Sequence, residues 1–211
     1  MNKILLPYDT AKSLIEEGDV LLFRGRGIVS YFIGRASESK YTHVGVASWH
    51  NGDGGLLECV EFREGKGGRT VNLERVVNDL PDDTIDVYRP IPYWSRWHFN
   101  AVRNEAYTVR SEFNGKAVTN AMRKLTGLPY GWKRIWWIAK HKLMGFRLFY
   151  NVDDLMVDSL GEVIYPVCST AIAYAFNKNG FDLINNRSDE WTEPADIAQS
   201  ARLGYLFTLT P

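Results

Sequence analysis

Cysteine is scarce in this chain: Cys59 and Cys168 are the only two in 211 residues. Two thiols build no disulfide framework and complete no all-cysteine zinc or iron–sulfur site. Charge of either sign is not in excess, since 25 Lys plus Arg offset 25 Asp plus Glu. A nucleic-acid-binding domain ordinarily carries a basic surplus, so no nucleic-acid partner is expected. No apolar run reaches the ~18 residues that a membrane-spanning helix needs. The opening Met1-Asn2-Lys3-Ile4-Leu5-Leu6-Pro7 also lacks the apolar stretch of about 7–15 residues found in a secretory signal. The chain as written is therefore expected in the cytoplasm, and delivery to a cell wall would need another route. Repeats, heptads and low-complexity tracts are absent.

Cofactor and metal signals are equally thin, and none is expected. Asp153, Asp154 and Asp158 have no histidine or further carboxylate at ligand spacing and read as a solvated loop. Gly65-Lys66-Gly67-Gly68 lacks the frame of a phosphate-binding loop and reads as a turn. Gly25-Arg26-Gly27 is too short to carry meaning.

What remains is a 24.1 kDa chain, 45% hydrophobic and 24% charged. That is the composition of an ordinary globular protein, long enough to bury roughly 70% of its unfolded surface without a staple. It is read as one domain over 1–211, with an insertion at about 130–164. Ala11–Glu17 reads as a short helix, Val20–Phe23 as a strand and Ile28–Ala36 as a helix. Thr42–Trp49 and Leu56–Phe62 read as the arms of a β-hairpin around the turn composition of His50–Gly55. Ile85–Arg89 is a strand, and Trp94 to about Leu125 has helical period, divided near Asn114-Gly115 and stopped by Gly127-Leu128-Pro129. Val167–Asn179 is a helix with Gly180 as its C-terminal cap, and Gly204–Thr210 is a closing strand. Segregated helices and antiparallel strands make an α+β domain.

The chemistry gathers at Cys168. Pro166 cannot sit inside a helix, so the helix begins at or just before Cys168. A thiol at a helix N-terminus feels roughly half a positive charge, which favours thiolate. The competing reading is a small buried residue on a core helix, since free cysteine is among the most buried residue types. His43 stands mid-strand on the face it shares with Gly45 and Ala47, where small neighbours leave room for the imidazole. Glu58 is flanked by Leu57 and Cys59, and a carboxylate in such company is costly unless paired. A hairpin centred near His50-Asn51 makes positions 43 and 58 cross-strand neighbours; a turn centred two residues later separates them. In that register Glu61 falls on the opposite face and is the weaker partner for His43. Cys59 with His98 or His141 is a competing pair, but Cys59 lies mid-strand with no helix N-terminus beside it.

Three segments in this order, Thr42-His43-Val44-Gly45-Val46, Leu56-Leu57-Glu58-Cys59 and Tyr165-Pro166-Val167-Cys168-Ser169-Thr170, resemble the circularly permuted branch of the NlpC-like cysteine amidases. Gly18–Arg24 looks like that family's first strand, Gly127–Trp132 like its motif upstream of the cysteine, and Thr192–Ile197 like its C-terminal end. Ser169-Thr170 departs from the more usual Ser-Glu, and the 132–164 stretch is longer than the family's. The resemblance implies a papain-like fold, with a central antiparallel sheet packed on helices and the nucleophile at a helix N-terminus. It implies Cys168 as nucleophile, His43 as general base and acid, Glu58 as orienting residue, and an oxyanion facing the Cys168 N–H with help from the Tyr130 hydroxyl. Tyr130 reads equally well as a packing residue. The implied activity is hydrolysis of an amide bond through a thioester, in a peptide or glycopeptide of peptidoglycan.

Tyr130–Tyr150 holds seven aromatics with Lys133, Arg134, Lys140, Lys142 and Arg147, and no acid. Such a segment suits an anionic membrane surface or an acidic polymer, or simply packs the insertion on the domain. Two other functions stay open: an acyltransferase or lipid amidase of the lecithin–retinol acyltransferase kind, and a non-catalytic structural or binding module, as in a phage or secretion assembly.

Overall fold

The structure is a computed structural model and describes residues 3–24, 39–50, 55–80, 85–100, 102–103, 105–131, 166–184 and 188–211. The sequence expectations for a helix at 28–36, an insertion through 132–164, His141, Asp153, Asp154, Asp158 and the Gly25-Arg26-Gly27 stretch lie outside these residues.

Nine strands are described: β1 (Leu5–Pro7), β2 (Val20–Phe23), β3 (His43–His50), β4 (Leu56–Arg63), β5 (Gly67–Asn72), β6 (Ile85–Pro90), β7 (Tyr93–Asn100), β8 (Glu105–Glu112) and β9 (Leu203–Thr210). The α-helices are α1 (Tyr8–Ala11), α2 (Leu73–Asn78), α3 (Gly115–Lys124), α4 (Cys168–Lys178) and α5 (Pro194–Ala198). Seven strands form one sheet in the order β1-β9-β6-β2-β3-β4-β5, while β7 and β8 form a separate two-stranded ribbon. All neighbours in the large sheet run antiparallel except β1 and β9. The domain is mixed α+β.

β2 explains why the sheet has two covered faces. Its four residues, Val20-Leu21-Leu22-Phe23, are all buried because the strand lies mid-sheet with helices on both sides. Val20 and Leu22 join Val44, Val46, Val60 and Phe62 on the face packed by α3 and α4. Leu21 and Phe23 join Ala47, Leu57, Cys59 and Leu209 on the face packed by α1 and α2. Each such side chain removed from water contributes about 1.5–3 kcal/mol. Together they hold the β3 backbone rigid between two cores.

One expected element is different. Residues 94–112 are not helical but form the β7–β8 ribbon, with Trp94 opposite Ser111 and Phe99 opposite Ala106. The helical spacing runs through Ala101, Val102, Ala106 and Val109, but the stretch also holds Trp94, Trp97, Phe99, Tyr107 and Thr108, aromatic and β-branched residues that fit a strand better. The helix begins only at Gly115, where the Asn114 side chain accepts the Ala117 N–H at 3.0 Å. Among the described residues no helix is long and apolar enough to cross a membrane.

Candidate active site

Pro166 and Val167 are extended, and α4 starts at Cys168. Thr170 caps the turn reciprocally: its hydroxyl accepts the Val167 N–H at 2.9 Å and lies 3.2 Å from the Val167 carbonyl. Ser169 donates to the Thr192 carbonyl at 2.6 Å, tying the helix tip to the segment before α5. The Ser-Thr pair thus does local structural work that fixes where the Cys168 thiol points. Cys168 is 5% exposed and packs beside Val44.

His43 opens β3, and its ring lies 5.1 Å from that of Phe23. Its Nε2 donates to Glu61 Oε2 at 2.6 Å. This corrects the expected pairing with Glu58. In the hairpin Glu58 stands opposite Ser48 and Glu61 opposite Gly45. The turn therefore falls later than His50-Asn51, moving Glu58 five positions along β3. An odd shift also exchanges the two faces, because side chains alternate with period two. Glu61 becomes the diagonal neighbour of His43 on one face, within side-chain reach. Glu58 instead accepts from Arg123 Nη2 at 2.5 Å, and Arg123 also reaches Ser48 Oγ at 2.9 Å. That interaction ties the hairpin to α3.

Gly45 makes the arrangement fit. A Cβ there would lie 2.5 Å from the Cys59 sulfur and 3.4 Å from Glu61 Cβ. Arg69, on β5 opposite Glu61, donates to Glu61 Oε1 from Nε at 2.8 Å and from Nη2 at 2.5 Å. With the Glu61 side chain wholly buried, the two-pronged cation supplies the compensation that burial of a carboxylate requires. Sequence reasoning missed Arg69. The available signal was Val60-Glu61-Phe62, a carboxylate as apolar-flanked as Glu58.

The charges follow from these contacts. Burial alone would raise Glu61, but the hydrogen bonds and positive charges of His43 and Arg69 outweigh it and hold the carboxyl down to about 2. Burial alone would lower His43, but hydrogen bonding to Cys168 and Glu61, with their negative charges, lifts the imidazole to about 9. Nε2 is committed to Glu61, which leaves Nδ1 as the nitrogen facing the sulfur. Burial alone would raise the Cys168 thiol, yet the His43 hydrogen bond and charge, with the backbone N–H groups of Val44 and Ser169, bring it below the ordinary thiol value. Both shifts run in the direction that favours a thiolate–imidazolium pair backed by a carboxylate.

Tyr130 hydrogen-bonds Cys168, and burial together with the negative charges of Cys168 and Glu64 keeps its phenol protonated as a donor. Its segment is stitched into place by three backbone bonds: Gly68 N–H to the Leu128 carbonyl at 2.9 Å, Gly127 N–H to Gly68 at 2.8 Å, and Gly131 N–H to Pro166 at 3.1 Å. Cys59 is fully buried, and burial pushes its thiol well up, so it is not an activated sulfur. His98 lies on the separate ribbon.

No family model matches the sequence, and no curated protein matches it. Among solved structures the chain is similar to metalloprotein yiiX from Escherichia coli O157:H7, described as DUF1105. The two are 11% identical, with a TM-score of 0.56 over 93% of this chain and 99% of that one. At that identity the similarity establishes a shared fold and nothing more. That protein's description names a family other than the NlpC-like amidases, and no family model supports the motif resemblance. The assignment to the permuted NlpC-like branch, with its papain-like label, is therefore withdrawn.

Proposed function

We propose that the protein is a thiol-dependent hydrolase that cleaves an amide bond through a thioester. The observation that carries this reading is the contact sequence Cys168–His43–Glu61, with the thiol at the N-terminus of an eleven-residue helix. The thiolate attacks the amide carbonyl, and the oxyanion that forms is received by the Cys168 N–H and the Tyr130 hydroxyl. His43 gives its Nδ1 proton to the leaving amine as the C–N bond breaks. The amine departs and leaves an acyl thioester on Cys168. The neutral imidazole then takes a proton from water, whose oxygen attacks the thioester and releases the acid, restoring thiolate and imidazolium. Glu61 fixes the ring orientation and supports its positive charge throughout, as the third member of nucleophile–base–acid constellations does.

The yiiX protein is described as a metalloprotein. Among the described residues of this chain no group of three or more His, Cys, Asp or Glu is arranged to hold a metal ion. A cell-wall peptide as substrate depended on the family resemblance alone and is not carried forward.

Iodoacetamide at neutral pH tests the reading. Wild-type protein should be alkylated at Cys168, and Cys168→Ala should lose the modification while Cys59 stays unreactive. Labelling of Cys168→Ala as fast as wild type would overturn the nucleophile assignment.

A further inference from the structure

Between β4 and β5 the chain turns through Glu64-Gly65-Lys66, with the Lys66 N–H on the Arg63 carbonyl at 3.0 Å. β5 ends the sheet, so one of its edges faces away from β4. Gly68 uses that edge: it donates its N–H to the Leu128 carbonyl at 2.9 Å and accepts the Gly127 N–H at 2.8 Å, as neighbouring strands do. Further on, the Gly131 N–H holds the Pro166 carbonyl at 3.1 Å, two residues before Cys168. Tyr130 lies between these two anchorages and packs on the core cluster that contains Cys168.

The first two residues of β5 lack side chains, and the backbone of 125–129 occupies the space that side chains would fill. A Cβ on Gly67 would lie 2.2 Å from the Leu128 carbonyl oxygen and 3.2 Å from Pro129 Cα. One on Gly68 would lie 2.4 Å from the Leu125 carbonyl oxygen and 2.8 Å from Phe62 Cζ. No rotamer change relieves so close an approach to backbone; the segment itself has to move. The obstruction is local. Gly65, in the same turn, shares the φ of +69° found at Gly67, yet a Cβ there meets nothing within 4 Å.

We propose that Gly67 and Gly68 are positioning residues for the oxyanion donor: their missing side chains let the 125–131 segment seat close against β5 and so bring the Tyr130 hydroxyl to the Cys168 sulfur. The proposal rests on the hydrolase reading and adds what shapes its oxyanion site. Arg69, the next residue of β5, clamps the Glu61 carboxylate. One short stretch of edge strand thereby sets both the acid and the oxyanion donor.

The test compares two reactions of the Cys168 thiolate. With p-nitrophenyl acetate it attacks the ester carbonyl, passes through an oxyanion, expels p-nitrophenolate and keeps the acetyl group as a thioester. With iodoacetamide it displaces iodide and forms a thioether, and no oxyanion arises. The ratio of the two rates reads the oxyanion donor, whereas a change in the thiolate fraction moves both rates together. Loss of one oxyanion donor costs up to about 10²–10³-fold in rate, so Tyr130→Phe and Gly67→Ala should each lower the ratio about tenfold or more. Gly65→Ala carries the same backbone strain and should keep the wild-type ratio. In the Tyr130→Phe background Gly67→Ala should lower the ratio no further. If Gly67→Ala does not fold, Gly127→Ala takes its place and should lower the ratio too: its Cβ would meet nothing within 4 Å, and its φ of +90° strains the residue whose N–H holds Gly68. A wild-type ratio in folded Gly67→Ala, or in Gly127→Ala where that is the variant used, overturns the positioning role and leaves the nucleophile standing. A wild-type ratio in Tyr130→Phe, or an equal fall in Gly65→Ala, does the same. Release of p-nitrophenolate by wild type no faster than by Cys168→Ala overturns the nucleophile and the positioning role together.

Discussion

His43 and Glu61 meet diagonally across the β3–β4 hairpin, with Nε2 and Oε2 2.6 Å apart. Glu61→Gln keeps the shape but removes the negative charge behind the ring. Loss of the acid that orients a catalytic histidine costs about 10²–10⁴-fold in turnover. The alkylation rate of Cys168 should fall as well, because the imidazolium that stabilises the thiolate weakens. Glu58→Gln removes only a partly exposed pair with Arg123. It should cost at most about 1 kcal/mol of stability and leave Cys168 reactivity within about twofold. Comparable losses from both substitutions would contradict the assignment.

Arg69→Met leaves the Glu61 carboxylate buried without its two-pronged donor. Breaking a buried pair on one side costs about 3–5 kcal/mol. The folded-state carboxyl of Glu61 sits at about 2, below its ordinary 4.5. Its contribution is therefore present above pH 4.5 and is lost as pH falls towards 2. In the variant the folded-state carboxyl rises towards 4.5, so the acid loss should be smaller and complete at a higher pH, as read from urea midpoints measured across acid pH.

At alkaline pH the sign reverses. The His43 imidazole titrates at about 9 in the folded protein against 6.5 ordinarily. The stability it contributes is complete below pH 6.5 and disappears as pH rises through about 9. Amide turnover should decline over the same range, because the leaving amine needs the imidazolium proton. Alkylation by iodoacetamide needs only the thiolate and should persist. Parallel decline of both rates above pH 9 would show that His43 does not act as the acid.

Gly45→Ala places a methyl group 2.5 Å from the Cys59 sulfur. Crowding of this kind in a packed core costs about 1–3 kcal/mol. The double variant Gly45→Ala with Cys59→Ala should recover most of the loss in thermal unfolding. No recovery would place the strain elsewhere.

Much of this architecture was legible in the residues. The run Val20–Phe23 read as a strand, and Pro166 set the start of the helix that carries Cys168. His43 and Cys168 were therefore readable from local rules. The acid was not, because pairing across a hairpin depends on where the chain turns, and the composition of 50–55 permits more than one centre. A change of a few residues there exchanged Glu58 for Glu61 and reversed the face. The 94–112 stretch was misread because its apolar spacing satisfies a helical period while its aromatics prefer a strand. Arg69 lies on a third strand, and nothing local to it announces the carboxylate it holds. Family resemblance misled more than residue chemistry did: short motifs suggested a lineage that no family model supports, whereas the side-chain contacts stand without it.

The position of β9 between β1 and β6 has a consequence for biosynthesis. These two strands arise early in the chain but share no ladder until residues 203–210 enter between them. Pairing that waits on so distant a segment is slow and non-local. A nascent chain that has already made Cys168 still has the sheet open along one side. Until β9 is made, β6 lacks one neighbour and β1 has none in the sheet, so this edge closes last.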